Sequence, residues 1–285
     1  MEPIIYLNGQ WVKESEAKIS IFDRGVLMSD SIYEATAVIN GQLLDYEAHM
    51  LRFLSSIKKL NMNYSINLQE LLQIHLQLKE KNNLKEGLIY LQLSRGSGPR
   101  DFNYENHPYK PHLFLFTIPL YFDKPIQEIK SQHLISKLDG RWQRRDIKTT
   151  QLLYASQAKT EAVQQGADDV IFTLEGNVTE SSSSNISIIT KQGTLITHPT
   201  NEAILPGITR ARLLKIAHEC GIPVLEKPFT LDEALNAAEV FVSSASQIAS
   251  PVSMIDGVTI ADYDNGWGPI TQKLRKIYFE TVPKT

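Results

Sequence analysis

The sequence predicts an α+β fold with two domains, each containing mainly antiparallel strands and a few helices. Two apolar stretches near the N-terminus are interrupted by Asn-Gly, the strongest short-range hairpin pattern. Strand-like and helical patterns then recur in two blocks, without the strict alternation that predicts a parallel sheet. The proline-containing stretch TIPLYFDKPIQ separates the blocks and is typical of a linker. We therefore expect domains at residues 1–121 and 122–285.

The first block predicts two hairpins, two helices and two further strands. The hairpins turn at residues 8–9 and 40–41. Apolar residues at helical spacing predict helices from about residue 47 to 60 and from about residue 68 to 82. The strands GLIYLQLS and HLFLFTIPL follow, joined by a polar loop. This loop is long for a hairpin, and long loops are often functional.

The second block predicts strands and helices in mixed order. The strand SQHLISKL leads through an arginine-rich loop to a helix that stops at Gly166. The next helix, in GITRARLLKIAHECG, is expected to be opened by Thr209. A further helix begins with a capping box, in which Thr230 precedes Glu233 by three residues. The remaining elements are strands in DVIFTLEGNVTESSSSNISIIT, TLITHP and AEVFVSSA, and a C-terminal helix in PITQKLRKIYFETV.

Composition excludes several classes of protein. The chain has 285 residues, 42% of them hydrophobic and 21% charged, which is typical of a globular protein that needs no disulfide for stability. The net charge of −3 provides no basic excess for general nucleic-acid binding. One cysteine and the absence of HExxH spacing lead us to expect no metal site. No secretory or membrane-spanning pattern is present, so we expect a cytoplasmic protein.

Lys148 is the first candidate for chemistry. It lies in DIKTTQLL, just before a predicted helix, and Arg141, Arg144 and Arg145 precede it. A lone lysine is usually a solvated surface residue. Neighbouring cations, however, disfavour a protonated ammonium group, and an unprotonated lysine is what Schiff-base chemistry requires.

Two further patterns suit a phosphorylated pyridine cofactor. In TESSSSN, Glu180 could pair with a protonated ring nitrogen, although a run of serines alone is typical of a linker. In LPGITR, Gly207 permits close approach, and the helix start at Ile208 and Thr209 offers N–H groups to a phosphate. Thr209 alone is more simply explained as an N-cap. Together with Lys148, these groups describe a pyridoxal phosphate site.

Two arginines complete the candidates. Arg52 lies on the amphipathic helix in HMLRFLSS, and Arg100 lies in the long polar loop. A guanidinium group binds a carboxylate or a phosphate through two parallel hydrogen bonds. Taken alone, each arginine is more simply explained as an exposed charge.

The chain resembles the fold-type IV pyridoxal phosphate enzymes, most closely their D-amino-acid aminotransferase branch. The resemblance implies a smaller N-terminal α/β domain and a larger, cofactor-binding C-terminal pseudo-barrel α/β domain. DIKTTQLL, TESSSSN and LPGITR are its most specific motifs. The other matching stretches, in the family's order, are LNGQWV, DRGVLMSDSIYEATAVINGQL, HMLRFLSS, SRGSGPRDF, THPTNEAILPGITR and FVSSASQIASPV.

The resemblance implies that three residues contact the ring of pyridoxal 5'-phosphate. Lys148 matches the lysine that binds the cofactor as a Schiff base and then moves the substrate proton. Glu180 matches the carboxylate that pairs with the pyridine nitrogen and keeps it protonated. Leu205 matches an aliphatic residue that lies against the ring.

Four further residues are implied in binding the cofactor's phosphate. Arg52 matches a phosphate-binding arginine, and Ile208 and Thr209 match donors at a helix start. Ala245 lies where relatives usually have a phosphate-binding threonine. The backbone N–H remains at this position, but the hydroxyl is lost, so Ser244 or Ser246 would have to replace it.

For the substrate, the resemblance implies a carboxylate-binding group. Tyr33 and Arg100 match the tyrosine and arginine of this group, and Phe102 replaces its histidine. One donor is therefore missing, which leaves room for bulkier D-amino acids or for another amine donor. In the family the arginine comes from the partner subunit, so the resemblance implies a homodimer with active sites at the interface.

The function implied is transfer of an amino group from a D-amino acid such as D-alanine to a 2-oxo acid, either 2-oxoglutarate or pyruvate. Within the same fold, a branched-chain L-amino-acid aminotransferase, an aminodeoxychorismate lyase and an (R)-amine transaminase remain as alternatives. IYEATAV, which contains Tyr33, favours the D-amino-acid branch. A catalytically inactive binding protein is a further alternative, and the presence together of Lys148, Glu180, Arg52 and Thr209 argues against it.

Overall fold

Contacts divide the chain into two compact units. The first contains residues 2–122 and Ile147–Gln151, and the second contains the other described residues. The segment that carries Lys148 therefore belongs to the first unit, although the chain on both sides of it belongs to the second. The structure is a computed structural model that describes residues 2–122, 128–260, 263 and 267–282.

The domain limits expected at 1–121 and 122–285 stay a prediction. The last part of the predicted linker, residues 123–127, lies outside the described residues. No helix in the described part of the chain is long and apolar enough to cross a membrane.

The first unit contains an antiparallel sheet whose described strands follow the order β2-β1-β6-β5-β3-β4. Both predicted hairpins are confirmed. Asn8 and Gly9, at φ angles of 50° and 89°, have the positive values that a two-residue hairpin turn requires. The strands are β1 (Ile4–Leu7), β2 (Gln10–Lys13), β3 (Ser31–Ile39), β4 (Gln42–Leu43), β5 (Gly87–Ser97) and β6 (Lys110–Pro119).

Buried and half-buried side chains alternate along these strands, so one face of the sheet packs on the core and the other is partly exposed. Ile89 and Leu91 of β5 are fully buried in the core of the first unit, while Tyr90 and Gln92 between and after them are half-buried. Two helices supply apolar side chains to the same core, as their spacing predicts. The helices of this unit are α1 (Arg24–Met28), α2 (Tyr46–Lys59) and α3 (Leu68–Lys81).

The second unit contains a mixed sheet, whose described strands follow the order β12-β11-β10-β13-β14-β7-β8-β9, with β15 paired to β14. Its pairs are mainly antiparallel, as predicted, and three pairs are parallel: β7 with β8, β7 with β14, and β11 with β12. The strands are β7 (Gln132–Leu138), β8 (Asp169–Leu174), β9 (Asn177–Val178), β10 (Asn185–Ile189), β11 (Leu195–Thr197), β12 (Val224–Glu226), β13 (Glu239–Ser243), β14 (Ser250–Ile255) and β15 (Val258–Thr259).

The helices of the second unit confirm one predicted cap and correct another. Thr230 and Glu233 form the predicted capping box. The prediction that Thr209 opens its helix is wrong, because Gly207 is the N-cap and Thr209 is the second helical residue, with its side chain buried. The helices are α4 (Leu153–Gln164), α5 (Ile208–Glu219), α6 (Leu231–Leu235) and α7 (Pro269–Glu280).

Candidate active site

Backbone hydrogen bonds fix the segment Ile147–Gln151 against the start of β3. The N–H of Tyr33 donates to the carbonyl of Lys148 at 2.9 Å, and the N–H of Thr150 donates to the carbonyl of Ser31 at 3.1 Å. The hydroxyl groups of Ser31 and Thr150 are also hydrogen-bonded, at 2.5 Å. The lysine backbone is therefore held by a strand that is distant in sequence.

The side chain of Lys148 contacts the ring of Tyr33. Its Nζ lies 4.3 Å from the ring centroid, a distance at which an ammonium group is attracted to the aromatic face. The Tyr33 ring is stacked on that of Tyr90 at 5.3 Å. Within the described part of the chain, Lys148 is in no salt bridge with a carboxylate. The structure thus brings together two of the predicted site residues, Lys148 and Tyr33.

Arg52 is held by a buried carboxylate, Glu34. Its Nε and Nη2 donate to the two oxygens of Glu34 at 2.7 and 2.8 Å, and Nδ1 of His49 lies 2.8 Å from Oε2. Glu34 is fully buried. Burial raises the pKa of Glu34, but the charge and hydrogen bonds of Arg52 and the contact with His49 outweigh it and hold that pKa at about 2. Glu34 therefore stays ionised and orients the guanidinium group.

The residues around Arg52 were missed in the sequence, although a pattern for them exists. Glu34 is the only acid in SIYEATAVI, and strand alternation places it on the same face as the buried Ile32. His49 and Arg52 are three residues apart on α2, so both reach that face of β3. An acid on an apolar strand face, opposite basic residues on an amphipathic helix, predicts such a pair.

Two of the three predicted substrate residues, Arg100 and Phe102, lie in the loop between β5 and β6. The guanidinium carbon of Arg100 is 5.5 Å from the Phe102 ring centroid, and Phe102 is 81% exposed. The loop itself is anchored, because Arg24 donates to the carbonyl of Asp101 and Arg95 lies 3.9 Å from the ring centroid of Tyr104. A firmly held loop therefore presents an exposed cation and an exposed ring.

In the second unit, Glu180 is a buried carboxylate with three hydrogen-bond donors. Oε2 accepts from Nη1 of Arg141 at 2.7 Å. Oε1 accepts from Nδ2 of Asn185 at 2.8 Å and from the N–H of Leu205 at 3.0 Å. Burial raises the pKa of Glu180, the arginine opposes this, and the nearby Asp139 adds to the rise. The structure thus brings together the predicted residues Glu180 and Leu205.

The arginines that precede Lys148 in sequence are each balanced by a carboxylate. Arg141 donates through Nε and Nη2 to Asp139 at 2.9 and 2.8 Å, and Nε of Arg145 lies 3.0 Å from the same carboxylate. Arg144 donates to Asp146 at 2.9 Å. The interpretation that these arginines provide a field of positive charge for the lysine is weakened, because Asp139 offsets two of them and Asp146 offsets the third.

The start of α5 lies against Asn185. Nδ2 of Asn185 donates to the carbonyl of Leu205 at 2.9 Å, and a Cβ at Gly207 would lie 1.9 Å from Oδ1 of Asn185. Gly207 therefore permits the close approach expected of it. The N–H groups of Ile208 and Thr209 belong to the first turn of α5, where helices leave donors unpaired and a positive end that suits phosphate.

Buried hydroxyl groups without partners accompany these donors. The Oγ atoms of Ser181 and Ser243 are buried and have no hydrogen-bond partner in the described part of the chain. Ser243 is the register partner of Asn185 between β13 and β10. A buried hydroxyl without a partner costs free energy unless a ligand satisfies it. One acceptor, the Glu180 carboxylate, together with donors from the hydroxyl groups and the helix start, fits a ligand with a basic ring nitrogen and a phosphate. Ala245 is half-buried in the turn after β13 and has no hydroxyl to add.

Comparison with known proteins places the chain among aminotransferases. The family model for "Amino-transferase class IV" matches residues 31–255. The chain is 38% identical to a D-alanine aminotransferase of Staphylococcus aureus (strain MSSA476) and 36% identical to one of Staphylococcus epidermidis, in each case over 273 residues that make up 95% of both proteins. These similarities extend over both units.

Solved structures agree with this result. A branched-chain aminotransferase from Thermoproteus uzoniensis, solved with norvaline, matches with a TM-score of 0.85 and 28% identity, over 98% of this chain and 94% of that chain. A branched-chain amino acid aminotransferase from T.th., solved with pyridoxamine 5'-phosphate, matches with a TM-score of 0.90 and 25% identity, over the same shares of the two chains. These matches confirm the predicted α+β fold of fold-type IV.

Proposed function

The chain belongs to the class IV aminotransferases, and on this premise we propose that it transfers an amino group between a D-amino acid of the D-alanine type and a 2-oxo acid, 2-oxoglutarate or pyruvate, with pyridoxal 5'-phosphate as cofactor. The relatives named D-alanine aminotransferase support the choice of substrate. The observation that carries the proposal is Lys148, a half-buried lysine beside Tyr33 that no described carboxylate neutralises. A cytoplasmic location remains a prediction from the sequence.

Lys148 is proposed to hold the cofactor and to move the substrate proton. When bound, pyridoxal phosphate supplies a carbonyl that takes up an amino group and a ring that accepts electrons. Nζ of Lys148, once unprotonated, takes the proton from the substrate Cα. The hydrogen bond from Tyr33 to the carbonyl of Lys148 keeps the base of this side chain in place.

Glu180 is proposed to pair with the protonated ring nitrogen. A carboxylate offers about four acceptor positions, and three of those on Glu180 are filled. A further N–H donor can therefore bind without displacing any of the present ones. Leu205, whose N–H is fixed on Glu180, lies at the position proposed to contact the ring.

Arg52, Ile208 and Thr209 are proposed to bind the phosphate. The bidentate contact with Glu34 orients Arg52, and the first turn of α5 supplies N–H donors. Ala245 contributes only its N–H. Ser181 and Ser243, whose hydroxyl groups have no described partner, are better candidates for the lost hydroxyl than Ser244 and Ser246, whose hydroxyl groups lie 3.3 Å from each other.

Tyr33, Arg100 and Phe102 are proposed to bind the substrate, and the protein is proposed to act as a homodimer with active sites at the interface. Arg100 and Phe102 are exposed in the single chain, which supports a role of this loop in the active site of a second copy. Guanidinium groups bind carboxylates through paired hydrogen bonds, and an adjacent apolar ring favours substrates with apolar side chains.

The first experiment is an absorbance spectrum of the purified protein with pyridoxal phosphate, before and after D-alanine, L-leucine or aminodeoxychorismate. We expect a visible band that D-alanine alone converts to the pyridoxamine form. Lys148→Ala should fold but lack this band and lose transamination. The matched variant Lys276→Ala, which removes an exposed lysine of α7, should keep the band and the activity. Wild-type rates in Lys148→Ala would show that the lysine assignment is wrong.

A branched-chain L-amino-acid aminotransferase is the second candidate, and two observations favour it. The solved match at a TM-score of 0.90 is a branched-chain amino acid aminotransferase, and Phe102 replaces the histidine of the D-amino-acid branch. Conversion of the visible band by L-leucine and not by D-alanine would decide for this candidate. Pyruvate release from aminodeoxychorismate with an unchanged band would indicate a lyase.

Removing Arg100 tests the substrate assignment. We expect Arg100→Ala to lower kcat/KM about 10- to 100-fold for donors that carry a carboxylate, because a charged hydrogen bond contributes about 1.5–3 kcal/mol. Simple amines should lose less. The matched variant Lys215→Ala, which removes an exposed cation of α5, should change neither rate. Equal losses for both donor classes would remove Arg100 from the substrate pocket.

A further inference from the structure

Asn185 is a buried side chain at the start of β10 whose amide group contacts two of the proposed ring-binding residues. Nδ2 donates to Oε1 of Glu180 at 2.8 Å and to the carbonyl of Leu205 at 2.9 Å. Both hydrogens of the amide group are therefore used. A reversed amide would place its oxygen against two acceptors, so the orientation is determined by the contacts.

The oxygen of this amide group lies close to Gly207, the residue that caps the start of α5. A Cβ at Gly207 would lie 1.9 Å from Oδ1 and 3.1 Å from Cγ of Asn185. Gly207 has φ and ψ angles of −67° and 130°, which alanine also adopts. The glycine is therefore required by the contact with Asn185, and not by the conformation of its backbone.

We propose that Asn185 is a positioning residue that ties the Glu180 carboxylate to the start of α5, and so fixes the spacing between the partner of the ring nitrogen and the donors to the phosphate. The roles of Glu180 toward a ring nitrogen and of the start of α5 toward a phosphate rest on the proposed function. The contacts themselves can be tested in protein without cofactor.

The neutral charge of the amide group matters for this role. Arg141 already gives Glu180 one charged donor, and a second cation at position 185 would compete with a protonated ring nitrogen for the same carboxylate. A carboxylate at position 185 would instead repel Glu180 and place an oxygen against the carbonyl of Leu205. Asn185→Asp, which nearly preserves the shape, is therefore the most informative variant.

The first test measures thermal unfolding of the cofactor-free protein in a double-mutant cycle. Gly207→Ala should lower Tm by several degrees, because the new Cβ collides with the amide of Asn185. In the Asn185→Ala background the collision is removed, so the same glycine substitution should lower Tm by much less. Equal losses in both backgrounds would overturn the contact on which the proposal rests.

The second test measures the visible spectrum of the protein and its dissociation constant for pyridoxal phosphate. Both are measured between about pH 5 and 9, the range in which the cofactor's ring nitrogen and histidines titrate. Asn185→Asp should weaken binding about tenfold or more and shift the band and its pH dependence, because Glu180 no longer pairs with the ring nitrogen in the same way. The matched control is Asn236→Asp, an exposed amide that donates to the carbonyl of Asp232 at 2.9 Å. The control should match wild type.

The outcomes separate the two proposals. If Asn185→Asp binds pyridoxal phosphate with the affinity and spectrum of the control, the positioning role is wrong while the proposed function stands. If Asn185→Asp does not fold, Asn185→Ala is measured in the same way, because it removes both donors. A wild-type protein that binds no pyridoxal phosphate would overturn the proposed function, and the unfolding cycle would still decide whether Asn185 holds the start of α5.

Discussion

Glu34 in the first unit and Glu180 in the second are both buried carboxylates bound to an arginine, yet their pKa values move in opposite directions. Burial raises both pKa values. At Glu34, two hydrogen bonds from Arg52 and the contact with His49 prevail, and the pKa falls to about 2. At Glu180, Arg141 gives one hydrogen bond and is shared with Asp139, so burial prevails and the pKa rises.

The difference shows that the number of contacts with positive charges, and not burial alone, decides in which direction the pKa of a buried carboxylate shifts. Glu34 is fully compensated by its neighbours and serves to hold α2 on β3 and to orient Arg52. Glu180 is compensated only in part. Such a carboxylate gains most from a further cationic partner, which is the condition for pairing with a protonated ring nitrogen.

The largest expected effect concerns stability. Glu34→Ala should lower the free energy of unfolding by about 3–5 kcal/mol, because it removes the carboxylate that is paired with the buried charge of Arg52. Glu180→Ala should cost less, since it removes a carboxylate whose ionisation burial opposes. Urea unfolding of the cofactor-free proteins at neutral pH gives both values. Equal costs would mean that the two carboxylates do not differ in the way proposed.

A smaller effect is expected on catalysis. Glu180→Gln keeps the shape of the side chain but loses its charge, so kcat/KM should fall about 10- to 100-fold, the equivalent of about 1.5–3 kcal/mol. Steady-state rates with D-alanine and pyruvate measure this change. The matched control is Glu202→Gln, whose side chain is 71% exposed and pairs with Arg144. An unchanged rate in Glu180→Gln would show that Glu180 makes no charged contact in the reaction.

The smallest effect is a difference in the sign of the pH dependence. The pKa of Glu34 is lowered from 4.5, so its contribution to stability is present above that value and is lost as the pH falls toward about 2. The pKa of Glu180 is raised, so its contribution is present below 4.5 and is lost as the pH rises through its pKa in the folded protein. Each slope is at most about 1.4 kcal/mol per pH unit.

The corresponding measurement is Tm of cofactor-free protein across the acid range. As the pH falls, Tm of Glu34→Gln should decrease less than Tm of the wild type. As the pH rises from the acid range toward neutral, Tm of Glu180→Gln should decrease less than Tm of the wild type. A shared sign for the two variants would contradict the opposite pKa shifts.

Local patterns predicted much of the fold. The Asn-Gly hairpins, the helical spacing of α2 and α3 and the capping box at Thr230 were all correctly read, because each depends on residues close in sequence. The fold class and family, expected from motifs that extend along the chain, were confirmed by the family model, by the relatives and by the solved structures. The cap at Thr209 was wrong, because a threonine is the usual choice for a cap while contact with Asn185 favours Gly207.

Some charge partners of the candidate site were not predicted because they come from distant parts of the sequence. Glu180 and Arg141 are 39 residues apart and belong to different elements. Asp139, in contrast, is only two residues from Arg141 and six from Arg145, so the sequence could have indicated this pairing. The roles given to the site residues stay predictions, since they depend on ligands and on a second copy of the chain.

The attachment of Lys148 to β3 also has a consequence for biosynthesis. Ser31 and Thr150, which are hydrogen-bonded, are 119 residues apart in sequence. Closing a loop of this length costs about 4 kcal/mol of chain entropy, and the contact cannot form until the ribosome has released residue 150. During synthesis, the start of β3 therefore lacks its hydrogen bonds to the segment Ile147–Gln151 until the first part of the second unit has also been made. Chaperones that bind nascent chains would meet this unpaired strand end before the lysine reaches it.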